Sequence, residues 1–141
     1  MSDIYADSDS SVIELKYKTY PDGDFTIGPY GMTRVVNPEF HNKNGLIMFY
    51  SPNCGHCRNK DLVKTWKNLS IQFGSQFLIA AVNCVDKRAG NDVLSQYAEI
   101  LGYPTIKFVY KDGTVSEEYT GPRTTFAIKK YICSKGRGVC K

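Results

Sequence analysis

Two continuous apolar runs organise the chain: "GLIMFY" over residues 45–50 and "FLIAAV" over residues 77–82. Both are short and unbroken, the signature of strands covered on both faces. Between them Leu62, Trp66, Leu69 and Phe73 recur at intervals of four, three and four, which marks one face of a helix. Strand, helix and strand with short joints make a βαβ unit, so the two strands should lie parallel with a right-handed crossover. Upstream, "VIELKYKTY" alternates from Val12 and predicts another strand, with turn chemistry in "PDGD" after it. From Phe25 to Asn44, Gly28, Pro29, Gly31 and Pro38 punctuate the chain, and irregular structure is expected. Downstream, "NDVLSQYAEIL" predicts a helix that carries Val93, Tyr97, Ile100 and Leu101 on one face. "TIKFVY" and "VSEEYT" predict a hairpin that turns at Asp112-Gly113. "TTFAIKKYI" predicts a closing helix, capped by Thr124 or Thr125 and with basic residues towards its far end. This order predicts the α/β class: a mixed central sheet with helices on both faces.

A chain of 141 residues can bury one domain's core without staples. No apolar run approaches the ~18 residues of a membrane span, so no membrane role is expected. The acidic, serine-rich residues 1–11 read as a disordered tail, residues 12–133 as the domain, and residues 134–141 as a flexible basic tail. Net charge is +4 and uneven, with six basic and no acidic residues from Arg123 to Lys141. That run reads as a solvated surface rather than a nucleic-acid site. The N-terminus has no basic start, apolar stretch or small-residue cleavage site. The expected compartment is therefore cytosolic or virion-associated rather than the routine secretory route, and ER-type if the N-terminus was trimmed.

Five cysteines are an odd number and cannot form a closed disulfide framework. Cys54 and Cys57, in "FYSPNCGHC", fall where the first apolar strand ends and the helix begins. Unpaired N–H groups and partial positive charge at a helix start stabilise a thiolate, so Cys54 is the candidate nucleophile. Cys57 is placed to attack a mixed disulfide on Cys54, which is thiol-disulfide exchange. Gly55 keeps the approach open, and a protonated His56 would add positive charge beside both sulfurs. A zinc site would need a second pair at similar spacing, which the chain lacks, and no metal or cofactor is expected. Cys84, after a buried strand, reads as a small core residue. Cys133 and Cys140 flank "SKGRGV" and are expected to be free thiols, with a second disulfide, a shuttle pair or an intermolecular link as the alternatives.

With these residues in view, the chain resembles the thioredoxin superfamily, and most closely the catalytic domains of protein disulfide isomerases. The resemblance rests on "FYSPNCGHC", "GYPTIKF" from Gly102 and "YTGPR" from Tyr119, in that order over roughly residues 45–133. It implies a thioredoxin-like fold and an enzyme exchanging disulfides with cysteine-containing proteins, the Cys54/Cys57 dithiol itself carrying the electrons. It further implies that Pro104 is a cis-proline facing the pair, that Tyr103 offers its backbone to a substrate strand, and that Arg123 lowers the pKa of Cys57. A monomer is expected, served by an upstream sulfhydryl oxidase or reductase. A thioredoxin-like general reductant, or a binding module that uses Cys54 only to trap clients, are the rival readings. Three positions depart from the family pattern: Met48 replaces a buried carboxylate, Asn53 a tryptophan and Leu62 a helix-kinking proline. With no carboxylate under Cys57, its resolution of mixed disulfides is expected to be slow.

Overall fold

The computed structural model describes residues 3–6, 9–18, 23–40, 42–74, 76–136 and 140. Among the described residues, seven strands and three α-helices follow one another: β1 (Ile13–Glu14), β2 (Phe25–Ile27), β3 (Thr33–Val35), β4 (Gly45–Tyr50), α1 (Lys60–Phe73), β5 (Leu78–Asn83), α2 (Asn91–Tyr97), β6 (Thr105–Val109), β7 (Val115–Glu118) and α3 (Thr125–Ser134). The main sheet has the order β1-β5-β4-β6-β7. Strands β1, β5 and β4 run parallel, and β6 and β7 join antiparallel.

Strands β4 and β5 are buried at every residue, which is why their sequences are unbroken apolar runs. Their side chains divide by alternation. Leu46, Met48, Tyr50, Ile79 and Ala81 enter the core shared with Trp66 and Leu69 of α1 and Ile128 and Ile132 of α3. Ile47, Phe49, Leu78, Ala80 and Val82 enter the opposite core with Leu94 of α2 and with Phe25 and Val35 of the β2–β3 hairpin. Helices thus cover both faces. Trp66, fully buried, also donates its indole N–H to the Ala80 carbonyl at 3.0 Å, tying α1 to the sheet. The β6–β7 hairpin turns at Asp112-Gly113 as expected, and Gly113 is required there. It has a φ of +93°, and a Cβ would lie 2.2 Å from the Val35 carbonyl oxygen. At the start of α3, Thr124 is the cap, its hydroxyl accepting the Ala127 N–H at 3.2 Å.

Several expectations are corrected. The first strand shrinks to Ile13–Glu14, and a two-stranded hairpin, β2–β3, occupies the segment read as irregular. Its prolines and glycines lie in turns rather than interrupting a helix. Helix α2 buries Asn91, Leu94 and Ser95, while Val93, Tyr97 and Leu101 are exposed. The helix ends at Tyr97, so Ile100 and Leu101 never share its periodicity. Its inner face is instead anchored by Asn91, whose amide bonds the Tyr17 N–H and the Leu15 and Asn83 carbonyls. The last turn of α3 holds no basic residue. Tyr5, in the segment expected to be a disordered tail, is 1% exposed and packs in the core under α1. Cys133 and Cys140, expected as free thiols, are bonded to each other. Most of the basic segment that follows α3, residues 137–139 and 141, lies outside the described residues.

Candidate functional site

Cys54 and Cys57 lie in a turn between β4 and α1, not in the first turn of the helix as expected. Helix α1 begins at Lys60, and its cap is Asn59, whose side-chain oxygen accepts the Asp61 and Leu62 N–H groups at 2.9 and 3.2 Å. Those N–H groups are therefore unavailable to sulfur. The turn provides its own donor: the Cys57 N–H points at Cys54 Sγ, 3.3 Å away.

The two thiols, both free, are pushed in opposite directions. Slight burial of Cys54 acts to raise its pKa, but hydrogen bonds from the Cys57 side chain and backbone and from the His56 backbone outweigh it. The Arg123 charge adds to them, and Cys54 ends below the ordinary thiol value. Cys57 is fully buried, and burial, followed by the neighbouring Cys54 sulfur, pushes it up to about 12. A partly exposed sulfur that ionises more readily than an ordinary thiol thus lies above a buried one that holds its proton, an asymmetry suited to thiol-disulfide exchange. Gly55 and His56 are exposed on the loop, and no atom lies within 4 Å of where a Gly55 Cβ would stand.

Facing the pair, the Tyr103-Pro104 peptide bond is cis, and the Tyr103 carbonyl lies 3.6 Å from Cys54 Sγ. Arg123, just before α3, donates to the Pro104 carbonyl at 3.0 Å. The structure thus brings together all the residues singled out from the sequence: Cys54, Gly55, His56, Cys57, Tyr103, Pro104 and Arg123. A cavity of about 400 Å³ continues from Tyr103 and Pro104, lined also by Leu101, Gly102, Glu99 and Arg123. Cys84 is buried behind Tyr103, and burial pushes its thiol up to about 12. Among the described residues no group of three or more His, Cys, Asp or Glu side chains could hold a metal ion.

One residue was missed. Glu14 lies in β1, and its carboxylate oxygen Oε2 accepts the Tyr50 hydroxyl at 2.6 Å and the Tyr5 N–H at 3.0 Å. Burial, ahead of every other influence, pushes its pKa up to about 7. The available signal was an acid set between Ile13 and Leu15 in a strand read as alternating.

The thioredoxin family model matches residues 33–134. Over 96 residues, 67% of this chain, it is 38% identical to the protein disulfide-isomerase erp38 of Neurospora crassa, of which that stretch is 25%. Over 98 residues, 68% of this chain, it is 34% identical to a probable protein disulfide-isomerase A6 of Medicago sativa, again covering 25% of the relative. The chain therefore matches about a quarter of the length of these relatives. Among solved structures, the Trx4 domain of ERdj5 aligns with a TM-score of 0.63 at 20% identity, over 89% of this chain and 96% of that one. Spinach chloroplast thioredoxin f aligns with a TM-score of 0.54 at 19% identity, over 67% of this chain and 72% of that one, a likeness of fold. Sheet order, facing cis-proline and sequence similarity agree, and the chain belongs to the thioredoxin superfamily.

Proposed function

We propose that the chain is a thiol-disulfide oxidoreductase that exchanges disulfides with cysteine-containing proteins through Cys54 and Cys57, with disulfide isomerisation among its reactions. The observation that carries this reading is the asymmetry of the pair. Cys54 is reachable from solvent and accepts a backbone N–H, and Cys57 is sealed beneath it. In the reductive direction, the Cys54 thiolate attacks a substrate disulfide, forming a mixed disulfide and releasing one substrate thiolate. Cys57 then loses its proton and attacks Cys54 Sγ, forming the Cys54–Cys57 bond as the second substrate thiolate leaves. Two electrons pass from the pair to the substrate, and oxidation of a substrate dithiol is the reverse. The Tyr103 backbone, beside Cys54, is suited to pair with an extended substrate backbone.

The test is trapping. Cys57→Ser is expected to accumulate a covalent complex with a disulfide-bonded protein, visible on a non-reducing gel, whereas Cys54→Ser should form none. Absence of the complex from Cys57→Ser would overturn the proposal. Reactivation of a scrambled protein, beside insulin reduction, separates an isomerase from a general reductant.

A further inference from the structure

Glu14 of β1 stands opposite Ala81 of β5, and Ala81 stands opposite Met48 of β4. Residues in one row of a pleated sheet project to the same face. Here that face is the core shared by Met48, Ala81, Cys57, Tyr5 and Tyr50. The row with a thioether at position 48 therefore carries a carboxylate two strands away. Both donors given to Glu14, the Tyr50 hydroxyl and the Tyr5 N–H, converge on Oε2. Oε1 is buried and has no hydrogen-bond partner among the described residues. Leaving such an acceptor unpaired is costly, a burden that an acid kept only for structure does not need. Tyr5 donates its backbone N–H to Glu14 and packs in the same core as Cys57. Its hydroxyl reaches Met48 Sδ at 3.7 Å and lies within electrostatic range of both Glu14 and Cys57.

We propose that Glu14 acts on Cys57 through the Tyr5 hydroxyl and one water, taking up the thiol proton when Cys57 resolves a mixed disulfide on Cys54. The inference rests on the exchange reading above and makes Glu14 a positioning residue for its second step. The Cys57 S–H bond breaks, its proton converts the Glu14 carboxylate to the acid, and the new thiolate forms the Cys54–Cys57 bond. The departing thiolate carries away the electron pair of the broken disulfide. The groups that face Glu14 are Asp3 and Tyr5 from the N-terminal segment, Tyr50 from β4 and Lys16 two residues along the chain. Lys16 is already held by Asp3 and Asp86, at 2.6 and 2.8 Å.

Reaction of the reduced protein with dithiobis-nitrobenzoate separates the two steps by absorbance. Attack by Cys54 releases one aromatic thiolate, and attack by Cys57 on the mixed disulfide releases the second. Glu14→Gln is expected to leave the first phase unchanged and slow the second about 100-fold, the low end for a positioned proton acceptor. It should also abolish a rise in the second-phase rate as pH passes about 7. Glu14→Asp should keep that rise, and adding Met48→Glu to Glu14→Gln should restore the rate. A second phase within about twofold of the parent, with the rise intact, would overturn the role of Glu14 alone. Failure of the parent to release the second thiolate would overturn the exchange reading and this inference with it. Folding is checked by circular dichroism. Should Glu14→Gln unfold, Tyr5→Phe takes its place, a slowed second phase supporting the proposal and an unchanged one overturning it.

Discussion

Glu14 should leave its mark on stability as well as on rate. Its carboxyl is raised from an ordinary value of 4.5 to about 7, chiefly because burial disfavours the charged form, with Asp3 adding to it. The hydrogen bonds from Tyr50 and Tyr5 and the charge of Lys16 oppose the shift without cancelling it. A pKa raised by folding means that the native state binds the proton more tightly than the unfolded chain. This contribution is fully present below about pH 4.5 and is lost as pH rises through about 7. At about 1.4 kcal/mol per pH unit, the gap corresponds to about 3 kcal/mol. The assay is urea unfolding of parent and Glu14→Gln at a series of pH values across that window. Other titrating groups are common to both proteins, so the difference between their stabilities isolates Glu14. That difference should fall by about 3 kcal/mol from the acidic to the neutral end. Its offset reports the packing of the new amide, and only its slope tests the reasoning. Parallel curves across the window would refute it.

Arg123→Ala removes a positive charge that lowers both cysteines, so the pH midpoint for alkylation of Cys54 should move upwards, as followed by iodoacetamide kinetics. Trp66→Ala deletes a fully buried indole and leaves the Ala80 carbonyl without its 3.0 Å donor, and should cost about 3–5 kcal/mol in urea unfolding. Thr124→Ala removes the cap of α3 and should cost about 1 kcal/mol by the same measurement, with the Cys54 alkylation midpoint unmoved. Alkylation of the unfolded chain without reductant, read by mass spectrometry, should label Cys54, Cys57 and Cys84 and leave Cys133 and Cys140 unmodified.

The βαβ unit, the β6–β7 hairpin and the cysteine pair were legible because each rests on local pattern. An apolar run encodes a strand covered on both faces, and Leu62, Trp66, Leu69 and Phe73 mark the one face of α1 that enters the core. Helix α2 was legible as a helix but not in its orientation. Its buried face includes Asn91, a polar residue that is inside only because three backbone groups from two segments offer it partners. The Cys133–Cys140 bond depends on where the end of α3 meets a later residue, which spacing leaves open.

Local sequence therefore determined the fold class and marked the Cys-x-x-Cys pair as the candidate for exchange, since periodicity sets the elements and spacing alone reveals the pair. Tertiary structure decided what surrounds that pair. Strand register put Glu14 in the row of Met48, and the N-terminal segment brought Tyr5 into the core that also holds Cys57. Hydrogen-bond geometry in the turn, rather than the start of α1, gave Cys54 its N–H donor. These are contacts between residues distant in the chain, or choices among competing donors, and burial and register settle them only when the whole sheet has assembled.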